Sequence, residues 1–192
     1  LSSTPSTVVT SDAGAGVGYT GIRIRGVDPT RTNVTINGIP INDSESHGMY
    51  WVNMPDISSS VNNIQVQRGI GTSSNGASAF GASINVETNS LNKEAYGTLD
   101  NSFGSFHTLR NTVKAGTGLL NDKFIIDARL SSIQSDGYVD RSAAELKSFM
   151  LSGTWLGENS TLRATMFSGK EKTEQAWYGT PESVINGSIE DI

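Results

Sequence analysis

Five segments in the second half of the chain alternate apolar and polar side chains residue by residue, which is the period of a β-strand. In the clearest segment Ile126 and Leu130 share one face while Asp127 and Arg129 share the other. Each segment approaches the length of about 9–11 residues that a tilted strand needs to cross a bilayer. The segments run from Tyr96 to Phe103, Thr108 to Gly116, Phe124 to Ile133, Ser148 to Leu156 and Thr161 to Gly169. The pattern predicts an antiparallel sheet with one apolar and one polar face.

Such a sheet belongs either to a membrane barrel or to a soluble sandwich. Charged residues within the strands would be costly in a sandwich core, but a wet or filled barrel lumen accepts them. The connections at 104–105, 118–122 and 157–159 are short, whereas 136–145 and the stretch from Gly169 onward are long and polar. Short turns at one end and longer loops at the other are typical of outer-membrane barrels, apart from the brief first connection. The residues favour a barrel and leave a sandwich open.

The first half predicts a different, smaller unit. Short alternating strands are expected at Ile22 to Arg25, Asn33 to Ile41 and Ile64 to Arg68, and Asn37-Gly38 is a strong hairpin signal within the second. Weaker strands are expected at 7–10 and 82–88. Pro55-Asp56, followed by apolar residues three and four apart, indicates a short helix. Strands that alternate with a turn and a short helix predict a small mixed α+β sheet.

Composition excludes several classes of function. The net charge of -5 provides no basic face for nucleic acid, so no nucleic-acid partner is expected. No cysteine is present, which excludes disulfides and thiolate metal sites, and no apolar run reaches the roughly 20 residues of a membrane helix. The glycine-rich stretch from Gly69 to Ala82 lacks the Gly-Lys-Ser/Thr of a phosphate-binding loop. His47 and His107 match no zinc spacing, so no metal site is expected.

No catalytic constellation is recognisable. Asp127, Asp136 and Asp140 are not placed as a pair beside a cleft, and no Ser-His-Asp arrangement with supporting spacing occurs. The chain is therefore expected not to be an enzyme. A soluble β-rich binding or adhesion module, with its glycine-rich loops as the recognition surface, remains an alternative from another class.

Four motifs follow one another between residues 22 and 86: IRIRG, NVTINGIPIND, WVNMPD and IQVQRGIGTSSNGASAFGASINV. Together they resemble the plug domain of TonB-dependent outer-membrane receptors, which import ferric siderophores and related ligands. The resemblance implies an α+β plug domain over residues 1–90, a small mixed sheet with short helices. It further implies that residues 91–192 are about the first five strands of an antiparallel transmembrane β-barrel, of the 22-stranded plugged type.

The same resemblance implies a function in the outer membrane of a Gram-negative bacterium. A scarce ligand, most often a ferric siderophore or other iron complex, would bind at the plug apex and outer loops. The TonB-ExbB-ExbD complex would then drive plug rearrangement, without a resident cofactor, and a surface lipoprotein is a further partner. GKEKTEQAWYG, from Gly169, resembles an outer-loop start in receptors of Bacteroidetes-like bacteria. Because the chain starts without an export signal and stops within an apparent loop, we expect a longer protein whose TonB box precedes Leu1.

Arg25 and Arg68 each end a predicted strand before a glycine. By the resemblance they are the plug arginines that pair with glutamates on the inner barrel wall, expected in strands after Ile192. A guanidinium suits this role because its fork holds a carboxylate bidentately and stays charged when partly buried. The alternative is a pair of strand-end arginines in solvent.

Two loops resemble the ligand-contacting apex loops of a plug. The first offers polar and aromatic groups, namely Asp43, Glu45, His47, Tyr50 and Trp51. The second, in the glycine-rich stretch, offers Ser73, Ser74 and Asn75. The alternative for both is a surface loop with no ligand role.

Overall fold

The computed structural model describes residues 3–14, 17–70, 78–88, 91–174, 182–185 and 187, and these form three sheets. In the N-terminal half, β1 (Thr7–Ser11) and β2 (Thr20–Ile24) form an antiparallel hairpin. A four-stranded sheet follows, in the order β4-β3-β6-β5. Its strands are β3 (Thr32–Ile36), β4 (Ile39–Pro40), β5 (Asn63–Arg68) and β6 (Ala82–Glu87). Since β3 and β6 are parallel and the other pairs antiparallel, the predicted mixed sheet is confirmed.

The helices of this half are short 3-10 turns at Pro29–Arg31, Trp51–Asn53 and Ile57–Ser60. The helix predicted after Pro55 is therefore only four residues long, because Val61 already has an extended backbone. The β3–β4 hairpin turns at Asn37 and Gly38, which both have positive φ, as a tight two-residue turn requires. The core beneath consists of Ile24, Val34, Ala82, Ile84 and Val86.

The second half is an antiparallel meander, in the order β11-β10-β9-β8-β7, hereafter the five-stranded sheet. Its strands are β7 (Tyr96–Gly104), β8 (Thr108–Gly116), β9 (Phe124–Ser135), β10 (Ala144–Leu156) and β11 (Thr161–Thr173). One helical turn, α1 (Glu182–Ile185), lies beyond them. Within the described ranges, no helix has the length and apolar character needed to span a membrane.

At one end of the five-stranded sheet, β9, β10 and β11 extend two to four residues beyond the predicted limits. Residues 169–173, expected to begin a long loop, continue β11 and pair with residues 144–148 of β10. The connection between β9 and β10 is correspondingly shortened to 136–143. The sequence pattern missed these ends because Lys170 and Lys172 continue the outward face with charged rather than apolar side chains. In these strand ends polar and apolar side chains no longer alternate, although the backbone remains an extended, paired strand.

The two faces of the five-stranded sheet have opposite environments. On the outward face Leu99, Leu130 and Met166 are 66%, 64% and 58% exposed. On the inward face Thr112 and Arg129 are each only 2% exposed because the N-terminal half covers them. A soluble sandwich would bury the apolar face, whereas this sheet buries its polar face. The arrangement is that of a barrel wall around a filled lumen.

The junction between the two halves rests on Gly118. Its φ is +66°, and an added Cβ would lie 2.6 Å from the backbone nitrogen of Ala95 and 2.8 Å from the carbonyl oxygen of Lys93. Leu119 also donates its N–H to the Lys93 oxygen at 3.0 Å. The turn after β8 therefore holds the segment that leads into β7.

We expect Gly118→Ala to lower the free energy of unfolding by about 2–4 kcal/mol, since it adds left-handed backbone strain to a backbone clash. Denaturant unfolding of the complete protein in detergent measures this change. Gly97→Ala is the matched control, because nothing lies within 4 Å of a Cβ added at Gly97. Equal losses for the two variants would contradict the assigned role of Gly118.

Candidate functional site

The first predicted ligand stretch, residues 42–53, begins with a loop of residues 42–50, hereafter the 42–50 loop, that is anchored by one side chain. The Asn42 amide oxygen accepts the N–H of Val34 at 2.7 Å. Its amide nitrogen donates to the carbonyl oxygens of Thr32 at 2.9 Å and His47 at 2.8 Å. The asparagine therefore joins both ends of the loop to β3. Sequence reasoning did not single out Asn42, although it is the residue directly before Asp43.

Asp43 shapes the loop from within. Its carboxylate accepts the Ser46 N–H at 2.7 Å, the Ser46 hydroxyl at 2.9 Å and the Glu45 N–H at 3.1 Å. These bonds, first that from the Ser46 backbone, hold the pKa of Asp43 below its usual value. His47 closes the turn with its N–H on the Asp43 carbonyl oxygen and has a φ of +58°. The carboxylate of Asp43 is thus used by the loop itself.

The other candidates divide into exposed and packed side chains. Glu45 and His47 are exposed and Tyr50 is 52% exposed, so the loop presents a carboxylate, an imidazole and a phenol to solvent. Trp51 is partly buried and packs against the core of the N-terminal half. Ser73, Ser74 and Asn75 lie outside the described residues. Across the described part of the chain, no three potential metal-ligating side chains of the His, Asp or Glu type cluster together.

We expect Asn42→Ala to lower the free energy of unfolding by about 1–3 kcal/mol, because it leaves the partly buried Val34 N–H without a partner. Amide hydrogen exchange of the complete protein should show faster exchange in residues 42–48. Asn53→Ala is the control, since Asn53 is an exposed asparagine a few residues away. Unchanged exchange in the 42–48 segment would contradict the anchoring role.

The two predicted plug arginines lie close together at one end of the N-terminal half. Arg25 has a φ of +53°, and its Nη1 would be 3.5 Å from a Cβ added at Gly69. Arg68 donates through Nη1 to the Pro5 carbonyl oxygen at 3.3 Å. Neither arginine takes part in the ion pairs formed within the described ranges. Their pairing with glutamates of the barrel wall stays a prediction.

A different carboxylate joins the two halves. Asp56 ends the WVNMPD motif with a left-handed backbone, φ +51°, and its side chain is 2% exposed. In the 3-10 turn that follows, the hydroxyls of Ser58 and Ser59 donate hydrogen bonds to this carboxylate, at 3.0 Å and 2.5 Å. These bonds fix the carboxylate so that it points at the five-stranded sheet.

Two arginines and a serine of that sheet meet the carboxylate. Arg110 on β8 approaches Asp56 Oδ1 with Nη2 at 3.3 Å, and Arg129 on β9 approaches Oδ2 with Nη1 at 3.4 Å. Arg129 also donates to the Asp56 carbonyl oxygen at 3.2 Å, and Ser131 donates its hydroxyl to Oδ2. We call these groups, together with Ser58 and Ser59, the Asp56 cluster.

The two arginines of the Asp56 cluster differ in burial, and the buried one contributes more to stability. The Arg129 side chain is 2% exposed, whereas that of Arg110 is 41% exposed. Arg129 lies 5.8 Å from the Phe167 ring centroid, and its Nε and Nη2 have no hydrogen-bond partner in the described part of the chain. Its charge is therefore balanced chiefly by Asp56. A buried ion that loses its partner is strongly destabilising.

Sequence reasoning placed Arg129 on the polar face but did not find its partner. The available signal was Arg129 itself, because an arginine in the middle of an inward strand face needs a carboxylate. Asp56 is the one acid in the WVNMPD motif and precedes a turn. Nothing in the local sequence relates it to Arg129, which lies 73 positions away.

Beside the cluster the two halves enclose space. A cavity of about 350 Å³ lies between them, with Asp56 among its lining residues. Its walls are mostly apolar, with Trp51, Met54 and Val61 from the N-terminal half and Ile133 and Leu146 from the five-stranded sheet. The contact between the halves is thus a polar cluster next to a partly open, mostly apolar cavity.

Two connections, 105–107 and 136–143, lie at the same end of the five-stranded sheet and are called the outer connections. The second of them contacts the N-terminal half. Tyr138, in the 136–143 connection, donates its N–H to the Ala13 carbonyl oxygen at 2.9 Å. Its ring meets Phe106 edge to face at 5.3 Å, and His107 Nδ1 lies 2.6 Å from Asp136 Oδ2. The first two outer connections are therefore joined to each other and to the β1–β2 hairpin.

Comparison with known proteins agrees with this geometry. Residues 1–83 match the TonB-dependent Receptor Plug Domain family. The sequence matches none of the curated proteins with which it was compared. The fold, however, is shared with solved structures that are all less than 25% identical in sequence.

Three solved structures illustrate the shared fold. The siderophore receptor PirA from Acinetobacter baumannii has a TM-score of 0.62 at 18% identity over 88% of this chain and 28% of its own. The copper transporter OprC gives 0.72 at 16% identity, over 89% and 27%. The ferripyoverdine receptor of the outer membrane of Pseudomonas aeruginosa gives 0.64 at 15% identity, over 87% and 21%.

This chain spans roughly a quarter of the length of these solved chains. Their shared fold accounts for the second half of the sequence, where the exposed apolar face and the covered polar face have the form of a barrel wall. The family match accounts for the first half, with its mixed sheet and short turns. Residues 1–83 therefore match the plug domain of TonB-dependent receptors, and the chain has the fold of such a plug followed by strands of the surrounding barrel.

Proposed function

We propose that this protein takes up an iron complex across the outer membrane of a Gram-negative bacterium. The observation that carries the proposal is the pair of opposite faces on the five-stranded sheet: the polar face holds the plug, and the apolar face is exposed as lipid contact requires. The names of proteins with the same fold agree with this choice, since they include a siderophore receptor and a ferripyoverdine receptor.

The proposed mechanism is a change of conformation, with no chemistry on the cargo and no resident cofactor. Ligand binds the exposed groups of the 42–50 loop, namely Glu45, His47 and Tyr50, and the outer connections beside them. A ligand shifts an equilibrium only by its differential affinity for two states, so binding alone does not open the plug. The remaining work comes from the proposed partners, TonB with ExbB-ExbD, and a surface lipoprotein is a further proposed partner.

Among the contacts between the plug and strands β7–β11, the Asp56 cluster is the one that TonB-driven movement of the plug must break. The 42–50 loop and Asp56 belong to one short stretch of the plug, joined by the 3-10 turn Trp51–Asn53. A displacement of the loop therefore reaches the cluster through a few residues of backbone. The cavity beside Asp56 provides room for that displacement.

The rival is a soluble β-rich binding module. It would need to hide the apolar outward face in a second sheet or another copy, because a soluble protein rarely exposes so large an apolar patch. The exposed apolar face therefore favours the transporter.

Fluorescence titration of the complete receptor in detergent tests the ligand. Trp51 and its neighbours report on binding of ferric siderophores, haem, cobalamin, oligosaccharides and copper. We expect saturable quenching by a ferric chelate that weakens at least tenfold in a Glu45→Gln, Tyr50→Ala double variant.

Glu158→Gln is the matched control, because Glu158 is an exposed acid in the 157–160 turn at the opposite end of the sheet. Saturation by copper, cobalamin or an oligosaccharide alone would retain the transporter and reject iron. A protein that stays monodisperse in buffer without detergent would instead support the soluble module.

A further inference from the structure

The outward face of the five-stranded sheet carries a line of hydrogen-bond donors at one height. Asn111, Ser132, Lys147 and Lys170 are successive partners across β8, β9, β10 and β11. The neighbouring line toward the short turns is mostly apolar and consists of Val113, Leu130, Phe149 and Ser168. The donor line therefore lies directly above the exposed apolar surface, on the side of the 136–143 connection.

The charges along this line are not balanced. Lys147 and Lys170 are directly opposed across β10 and β11, and like charges in that position destabilise a sheet. Glu145 lies 2.5 Å from the Lys147 ammonium and is the partner in register of Lys172. Among the described residues Lys170 forms no ion pair, and the Lys147 side chain is 62% exposed. An anion placed between Lys147 and Lys170 would remove the repulsion.

A shallow, open groove runs along the same place. It has a volume of about 570 Å³ and is lined by Val113, Leu130 and Phe149 as well as by Asn111, Lys147 and Lys170. One side of the groove is therefore apolar, and the other carries two cations and polar side chains that can donate hydrogen bonds. The complementary molecule has an anionic head joined to hydrocarbon.

We propose that this groove binds a phosphate-bearing lipid, with the phosphate between Lys147 and Lys170 and an acyl chain along Val113, Leu130 and Phe149. The inference rests on the proposed function, which puts this face in the membrane. A lipid is favoured over free phosphate because the apolar wall would otherwise stay in water. Pleating keeps both lysines on the outward face whatever strand follows β11.

Native mass spectrometry of the complete receptor in detergent, titrated with lipid A, tests the proposal. Juxtamembrane lysines contribute about 1 kcal/mol each to binding of anionic lipid, so K147Q/K170Q should weaken lipid A binding roughly 25-fold. The K147R/K170R variant keeps both charges and should bind within a few-fold of the unaltered receptor. Phosphatidylcholine, which carries no net charge, should bind weakly to every variant.

Lys123→Gln is the matched control, because it removes an exposed lysine at the opposite end of the sheet. Equal lipid A affinity for K147Q/K170Q and Lys123→Gln would overturn the site. Complete displacement of lipid A by an equal concentration of inorganic phosphate would assign the lysines to free phosphate and also overturn it. The outcome of the lipid A titration is independent of the ferric-chelate titration. A protein that folds in detergent and binds a ferric chelate can still fail to bind lipid A at these lysines.

Discussion

Replacing Asp56 with asparagine is expected to lower the free energy of unfolding by about 3–5 kcal/mol, because it leaves the buried Arg129 charge without its carboxylate. The substitution keeps the size of the side chain, so the loss reports on charge rather than on a cavity. Denaturant unfolding of the complete receptor in detergent measures the stability. Limited proteolysis should show that the plug is cut faster while the barrel strands remain protected.

Asp28→Asn is the control for this experiment, since Asp28 is an acid of the same plug that caps the 3-10 turn Pro29–Arg31 at the surface. Asparagine also serves as a helix cap, and we expect almost no change in stability. A double variant, Asp56→Asn with Arg129→Met, should recover part of the loss because no buried charge is then left unpaired, and the remaining Arg110 is 41% exposed to solvent. Equal losses for the single and double variants would contradict an ion pair between these residues.

The second large effect is expected at the apolar outward face. Ile126, 46% exposed, lies among the apolar outward-facing residues 124–130 of β9 and should tolerate no charge if that face contacts lipid. Ile126→Arg is expected to lower stability by about 2–4 kcal/mol, the cost of an arginine deep in the apolar part of a bilayer. We expect less receptor in the outer-membrane fraction and a lower unfolding midpoint in lipid vesicles.

Gln134→Arg provides the comparison at the outer end of the same strand and the same face. The cost of a charge there falls to about 0–1 kcal/mol, because the side chain reaches the membrane–water interface. A soluble module predicts the reverse order, with Ile126→Arg harmless or beneficial to solubility. The two variants therefore separate the transporter from its rival without knowledge of the ligand.

These experiments test different parts of one arrangement. The Asp56 and Arg129 variants test the contact between the plug and the barrel strands. The Ile126 variant tests the contact between the barrel strands and the membrane. A plug that is too tightly held would resist the pull of TonB, and one that is too loosely held would leave the lumen open. We therefore expect Asp56→Asn to admit small solutes through the receptor in liposome swelling assays, whereas Ile126→Arg should act on assembly.

The sequence by itself determined the local elements and the faces of the strands. Asn37-Gly38 specified a turn with two positive φ angles, and alternation from Phe124 to Ile133 specified which side chains point outward. Both signals are local, since a turn depends on two residues and a pleat repeats every second residue. The order of the plug motifs likewise predicted the plug-domain match of residues 1–83.

Only the tertiary structure decided what the polar faces contact. Arg129 needed a carboxylate, but the pairing with Asp56 depends on how the plug docks against β9, which no pattern of neighbouring residues encodes. Asn42 is similar, because its bonds to Val34 and Thr32 exist only after β3 has formed. The polar ends of β10 and β11 also became visible only through their pairing. Hydrophobic period is a property of one segment, whereas ion pairs, anchors and strand ends are properties of two segments brought together.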